Sequence, residues 1–361
     1  MTALVAACGV VTVAWLLLAA LLPRALREVP RADEKAVATG ARVSVIVPAH
    51  DEEMLIRRCV SSLAAQDTPA YEIIVVDDHS TDQTASVAAQ AGARVVTAAD
   101  RPAGWLGKPW AAWQGAQAAT GDWLLFVDAD ATLAPACLRA VVASAERNSA
   151  DLLAALPRPA CATFAEALLQ PVMLLMMMWQ FDPRRVNDPK DEAAAAPGSF
   201  LLFRRSAYER IGGHVAVKGE IVEDLKLAQL VKRNGMVLRL VAAPHLLATR
   251  RALSFRALWN SWFRVGVDGV GRSPVLAILA LLAVQILFLG PYLAAPLGYV
   301  LAGVAAAHLI VTRVVRAQLG HAYGFDERWA WLQPLGALLA WLLLWRVFFA
   351  SLGARSPERW R

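Results

Sequence analysis

Trp123-Leu124-Leu125-Phe126-Val127-Asp128-Ala129-Asp130 is the stretch that decides the fold. Five apolar residues, Trp123 to Val127, read as a buried parallel strand. Gly121-Asp122 starts the strand, and Asp128 and Asp130 end it. Carboxylates at the carboxyl end of such a strand lie where open α/β sheets bind ligands. Two acids separated by one small residue, Ala129, suit a shared divalent cation. Oxygen ligands of this kind favour Mg²⁺ or Mn²⁺, ions that commonly carry substrate phosphates. The same residues also fit a plainer arrangement, a polar turn in which Asp130 caps a following helix.

On the amino-terminal side the pattern repeats. Val43 to Val47 is a mostly β-branched strand running into Pro48-Ala49-His50-Asp51-Glu52-Glu53. A helix is expected next, with Leu55, Ile56, Cys59, Val60 and Leu63 at helical spacing. One of the three acids, Asp51 to Glu53, suits the helix start, which leaves the others free for a ligand. Glu72 to Val76 forms a second strand ending in Asp77-Asp78, and Thr81 or Asp82 caps the helix after it. Adjacent acids at a buried strand end are costly without a partner, and a nucleobase N–H or a ribose hydroxyl would supply one. Arg94 to Thr97 is a short third strand. Gly104-Trp105-Leu106-Gly107-Lys108 then opens a helix from Trp110 to Ala119. A lysine at a helix start opposes the dipole, and a bound phosphate would correct that. The glycine spacing differs from a Walker loop, and no Ser or Thr follows the lysine.

On the carboxyl-terminal side come a helix over 135–147, a strand over 151–156 and a strand from Gly198 to Arg205. This alternation predicts a mostly parallel sheet. Phe164 to Phe181 is apolar on nearly all faces and is expected either buried or at a membrane interface. Residues 182 to 197 are polar and alanine-rich and read as a mobile loop. Tyr208 to Ile211 is a helical turn closed by Gly212-Gly213-His214. Glu223-Asp224 starts a helix, where acids are ordinary, but a cleft-facing carboxylate there also has the position a general base needs.

The chain of 361 residues is 57% hydrophobic, with a mean hydropathy of +0.44, too apolar for an ordinary soluble enzyme. Residues 3 to 22 carry no charge and can span a bilayer, and Arg24, Arg27 and Arg31 follow. No basic residue precedes the stretch, so it reads as a retained anchor with a cytoplasmic segment after it. Residues 254 to 264 place Trp259, Trp262 and Phe263 with Arg256 and Arg264 on an amphipathic stretch. From Pro274 to Thr312 there is no formal charge, and Gly290-Pro291 divides the run into a hairpin of two spans. Residues 329 to 350 form another span, with Arg346 snorkelling near its end. Four spans would leave the basic tail, Arg355, Arg359 and Arg361, outside, against the positive-inside expectation. The net charge of +6 is accounted for by basic residues flanking spans, and no nucleic-acid partner is expected. The four cysteines have no metal-ligand spacing and read as reduced.

VSVIVPAHDEE, IIVVDDHSTD, GKPWAAWQGAQAATGDWLLFVDAD, GSFLLFRRSAYERIGGH and VEDLKLA stand in the order found in family 2 glycosyltransferases. Over residues 41 to 250 the chain resembles that family. The membrane frame and GWLGKPWA are most similar to lipid-glycosylating members, including carotenoid (diaponeurosporenoate) and hopanoid-associated enzymes. The resemblance implies a GT-A fold: an α/β, Rossmann-like, mostly parallel catalytic domain with transmembrane helices at both ends. It implies that Pro48, Ala49 and Glu52 line the nucleotide pocket and that Asp78 holds uracil or ribose. Lys108 would approach the nucleotide or its phosphates. Asp128 and Asp130 match D-x-D, with Asp130 the more direct metal ligand. Asp224 matches the catalytic base, with Glu223 its neighbour. Gly212 and Gly213 match the acceptor-side loop, and Trp259 and Trp262 would flank a lipid acceptor. His50, Asp51 and Gln114 depart from the residues common in the family, and the Q-x-x-R-W of processive synthases is absent.

The expectation is a multi-pass protein of the cell (inner) membrane with a cytoplasmic catalytic domain. It would transfer a sugar, from a UDP-sugar above others, to a hydroxyl or carboxyl of a lipid with Mg²⁺ or Mn²⁺. The expected division is an anchor over 1–22, a linker over 23–41 and the catalytic domain over 42–250. An interface segment over 251–273, spans over 274–352 and a basic tail over 353–361 follow. Two alternatives are a polysaccharide synthase, which predicts more spans and an intact Q-x-x-R-W, and a non-catalytic nucleotide-sugar-binding protein, which predicts damaged acids.

Overall fold

The computed structural model describes residues 1–37, 40–180, 182–250, 254–271 and 273–353. In chain order the elements are α1 (Thr2–Glu28), β1 (Val43–Ala49), α2 (Glu53–Ala64), β2 (Glu72–Asp77), α3 (Thr84–Gln90), β3 (Arg94–Thr97) and α4 (Gly107–Ala118). They continue with β4 (Trp123–Val127), β5 (Ala131–Leu133), α5 (Cys137–Arg147), β6 (Leu152–Leu156), β7 (Arg158–Pro159), α6 (Phe164–Gln180) and α7 (Pro183–Asn187). Then come β8 (Phe200–Arg204), α8 (Arg205–Arg210), α9 (Glu223–Arg233), β9 (Leu238–Ala242) and β10 (Leu247–Thr249). The last are α10 (Phe255–Gly269), α11 (Pro274–Val284), α12 (Gly290–Ala294), α13 (Tyr299–Tyr323) and α14 (Gln333–Leu352). Contacts divide the chain into two units. One holds residues 29–158 and 181–250, and the other 1–28, 159–180 and 251–357.

The first unit is built on a seven-stranded sheet of order β3-β2-β1-β4-β8-β6-β9. All pairings are parallel except those of β8 with β4 and β6. Every residue of β1 and β4 is buried, as their apolar runs require. Their carboxyl ends, with that of β2, therefore open along one edge. Small residues let α4 lie close on this sheet. A Cβ at Gly115 would come within 2.3 Å of Ile46 Cγ2 and 3.0 Å of Val76 Cγ2. Gly115→Val should lower stability by about 1–3 kcal/mol through overpacking. A fall in the midpoint of thermal unfolding in detergent checks this, and an unchanged midpoint refutes the close approach.

Two expectations for this unit change and one stands. Asp130 caps no helix, because the chain passes directly into β5, which pairs antiparallel with β10. Asp82 caps as expected, accepting from the Thr84 N–H at 2.9 Å. Residues 182 to 197 are not a featureless loop. Asp182 caps the short helix α7, and Asn187 exchanges hydrogen bonds with the Leu240 backbone at 2.8 and 3.0 Å, which extends the edge of β9. Val186 and Ala194 are buried beneath the segment.

The second unit contains four helices long and apolar enough to cross a membrane: Thr2–Glu28, Pro274–Leu297, Tyr299–Tyr323 and Glu327–Leu352. The second and third meet at Gly298, not at Gly290-Pro291. Pro291 is the second residue of α12, which continues from a π turn over Gln285–Leu289, and the Leu287 carbonyl that its missing N–H leaves free accepts from Trp15. The Trp15 indole donates to the Leu287 carbonyl at 2.8 Å, and Gln318 Nε2 donates to Ala19 O at 2.8 Å, which ties α1 along α13. In α6, residues 166 to 173 are all buried, while Phe164 and Met177 towards its two ends are exposed. A Cβ at Gly336 would meet Leu168 O, so α14 crosses α6 at backbone contact. Arg346 donates to Asn260 Oδ1 at 2.8 Å and lies over the Phe263 ring, so it is engaged within the bundle. The basic tail with Arg355, Arg359 and Arg361 lies outside the described residues.

Candidate active site

The ends of β1, β2 and β4 bring the first acids together. Pro48 and Ala49 are buried inside β1, so their side chains face core. Ala49 acts through its carbonyl, which accepts the Asp78 N–H at 2.8 Å. Asp78 is itself buried, and His50 Nδ1 donates to its carbonyl at 2.7 Å. Asp51 and Glu53 bind the neighbouring loop, accepting from the N–H groups of Thr81 and Gln83 at 2.8 and 3.0 Å. These two acids hold loops together. Glu52 is different. Burial, then Asp130 and Asp128, push its carboxyl up to about 7. Negative charge is therefore concentrated around Glu52 at this strand edge.

Backbone bonds hold the D-x-D turn. Asp128 N–H donates to Ser199 O at 3.3 Å, and Asp130 O accepts from Arg250 N–H at 3.2 Å. The Cys59 thiol donates to Asp128 O at 3.7 Å. Across the turn lies α4, whose first turn carries Lys108. Its Nζ lies 2.8 Å from Asp128 Oδ1 and 2.9 Å from Glu223 Oε1. Burial disfavours the ammonium, but Asp128 and Glu223 outweigh it and hold the lysine's pKa above its ordinary value. Two carboxylates thus occupy the place the sequence suggested for a phosphate.

Glu223 and Asp224 open α9. Asp224 is pushed up to about 7, by burial first and then by Glu223, while Lys108 pulls the other way. Its Oδ1 accepts the Leu225 N–H at 2.8 Å. A Cβ at Gly198 would come within 2.7 Å of Asp224 Oδ2, so the bare backbone leading into β8 lies against the carboxylate.

Gly212 and Gly213 hold φ values of +81° and +50°, conformations that glycine adopts without strain. A Cβ at Gly213 would fall 2.5 Å from the Tyr208 ring. Tyr208 Oη lies 2.8 Å from His214 Nδ1 and accepts the His214 N–H at 3.1 Å. Burial, then Lys108, push His214 down to about 3, so the ring is neutral. Sequence reasoning assigned no role to Tyr208, His214 or Gly198, although the GGH triplet was the visible sign of the first two. Trp259 and Trp262 belong to the other unit. Trp259 packs on Phe255 with ring centroids 5.5 Å apart, and Trp262 is buried in the bundle.

Residues 44–212 match Glycosyl transferase family 2. The match covers just under half of the chain. It is 30% identical over 199 residues to the 4,4'-diaponeurosporenoate glycosyltransferase of Staphylococcus haemolyticus, covering 54% of this chain and 52% of the relative. It is 28% identical over 240 residues to the enzyme of that name from Staphylococcus aureus (strain MRSA252), covering 64% and 62%. The chain thus spans between half and two thirds of the length of these curated relatives. In structure it is similar to a mannosyltransferase from Pyrobaculum calidifontis in complex with GDP-Man and Mn²⁺. The TM-score is 0.55 and the identity 19%, with 98% of this chain and 100% of that chain covered. The fold is GT-A, and the matched segment contains Glu52, Asp78, Lys108, Asp128, Asp130, Gly198 and Gly212.

A divalent cation fits the acids of the matched segment. Among the described residues no three His, Cys, Asp or Glu side chains come together as a metal cage. Mg²⁺ and Mn²⁺ need none here, because Mg²⁺ in particular binds through one or two carboxylates, with substrate phosphates and water completing the shell. The field of Asp128 and Asp130 on Glu52 shows the local excess of negative charge that such an ion would neutralise.

Proposed function

We propose that this protein is a membrane-embedded inverting glycosyltransferase, moving a sugar from a nucleotide-diphosphate sugar to a lipid acceptor. The observation that carries the proposal is the junction at Lys108, which joins the D-x-D acid Asp128 to Glu223, the neighbour of the base candidate Asp224. Asp78 and Glu52 receive the nucleoside, and Lys108 faces the diphosphate. Asp128 and Asp130 would hold Mg²⁺ or Mn²⁺, with Asp130 the more direct ligand. When bound, the ion neutralises charge on the departing diphosphate. Asp224 accepts the acceptor hydroxyl's proton as that oxygen bonds to the anomeric carbon. The bond from that carbon to the diphosphate breaks, its electron pair leaves with the nucleoside diphosphate, and the configuration inverts in one step.

A base poised near neutrality serves an acceptor that brings a proton, which supports a hydroxyl. The names of the Staphylococcus relatives support a second reading, a carotenoid carboxylate, which would arrive ionised and need no base. We place the anchor in residues 1–22, the linker in 23–41 and the catalytic domain in 42–250. Residues 251–273 form the interface segment, followed by spans over 274–352 and a tail over 353–361. The catalytic domain faces the cytoplasm, where nucleotide sugars are available. Gly212 and Gly213 shape the acceptor side.

The test is transfer from labelled UDP- and GDP-sugars to total membrane lipid by detergent-solubilised protein with Mn²⁺ or Mg²⁺. A labelled glycolipid is expected and would identify the sugar. No product and no nucleotide binding with any donor would overturn the proposal.

A further inference from the structure

α13 is apolar enough to cross a membrane, yet it carries Arg313 and Arg316 three residues apart on one face. Arg316 is 3% exposed, although about 10 Å of helix separates it from the end of α13 at Tyr323. Its hydrogen bonds go to neutral groups. Nη1 donates to Gln333 Oε1 of α14 at 3.2 Å, and Nη2 donates to the Ala167 carbonyl of α6. Arg313 lies over the Trp331 ring, 4.6 Å from its centroid. The Nε donor of each arginine is buried and has no partner.

The acids nearby are engaged elsewhere. Asp326 binds Arg328 at 2.6 Å and reaches Arg316 only at longer range, Glu327 binds His321 at 2.6 Å, and Glu166 accepts from Ala162 and Thr163 through Oε2, its Oε1 being buried without a hydrogen bond. Among the described residues no carboxylate forms an ion pair with Arg313 or Arg316. Two guanidinium charges, one buried and one half-buried, with no carboxylate in contact are expensive in an apolar bundle, even with Asp326 acting on Arg316 at longer range. An oxyanion would neutralise both and use the two free Nε donors, because guanidinium forks match phosphate geometry. Basic pockets between spanning helices are known places for phospholipid headgroups.

We propose that Arg313 and Arg316 form a headgroup site for an anionic phospholipid, with its phosphate between the two guanidinium groups and its acyl chains along the exposed apolar side of α13, at Ile310 and Val314. The site rests on the membrane embedding proposed above and is independent of sugar transfer.

The test is native mass spectrometry of the full chain released from nanodiscs of phosphatidylglycerol and phosphatidylcholine in equal parts, as wild type, Arg313→Gln and Arg316→Lys. Wild type should retain phosphatidylglycerol in preference to phosphatidylcholine. Each variant should lose about tenfold of that retention, the loss expected for one charge-assisted bond. Arg316→Lys keeps the charge and so guards against a folding defect. Equal retention of phosphatidylglycerol in wild type and both variants would overturn the site. Full displacement of the lipid by inorganic phosphate would instead assign the pocket to free phosphate and overturn the lipid reading. A chain that stays monodisperse without detergent or lipid would refute the embedding itself, whatever the adducts show.

Discussion

Asp224→Asn should abolish most sugar transfer to a hydroxyl acceptor, with kcat falling by about 10²- to 10⁴-fold, the usual worth of a positioned general base. Asn is nearly the same size, and its Oδ1 can still accept the Leu225 N–H, so the start of α9 should keep its shape. Asp224 has a carboxyl pushed up to about 7, so the wild-type rate should rise with pH and level off above that value. Below it, the rate should fall about tenfold per pH unit as the base takes up its proton. The variant should lack this acid limb. Stability should move the other way. Asp224 binds its proton more tightly folded than unfolded, so its stabilising contribution is complete below pH 4 and lost as pH rises through about 7. Asn carries no such penalty, so above pH 7 the variant should unfold no earlier than wild type. A variant that keeps more than a tenth of the wild-type rate on a hydroxyl acceptor would remove Asp224 from the role of base. If only a carboxylate acceptor yields product, a small effect of Asp224→Asn is the expected outcome and decides for that second reading.

The sheet was legible because its strands are short apolar runs that end in acids. Val43–Val47 and Trp123–Val127 lie buried where their composition places them. What the sequence hid were contacts made over long separations. Lys108 is 115 residues from Glu223, and nothing in GWLGK indicates that carboxylates meet its ammonium. Gly198 looks like an ordinary strand start, and its closeness to Asp224 depends on how β8 enters the sheet. Ala49 reads as a pocket residue by motif, yet burial turns its side chain to the core and leaves only the carbonyl at the edge. In the other unit, Gly290-Pro291 is the strongest local breaker, but Trp15 takes up the Leu287 carbonyl that Pro291 leaves free, and the junction falls at Gly298.

Lys108→Met should act on both halves of the site at once. The ammonium holds Asp128 Oδ1 and Glu223 Oε1 at 2.8 and 2.9 Å, and the flexible methionine side chain fills similar space without charge. Three acids, Asp128, Glu223 and Asp224, then face one another without their shared cation. Lys108 lowers the Asp224 pKa, so its removal must raise that pKa further. The acid limb of the rate profile should move alkaline, and part of the activity lost at pH 7 should return at higher pH. Loss of the diphosphate contact should also raise KM for the donor, an effect that alkaline pH cannot restore. The pH dependence of kcat and KM for wild type and Lys108→Met separates the two effects. An unmoved limb would show that Lys108 does not act on Asp224, and an unchanged donor KM would show that it does not bind the diphosphate. Lys108→Arg keeps the charge and should hold the limb near its wild-type position, which ties the shift to electrostatics and separates it from loss of packing.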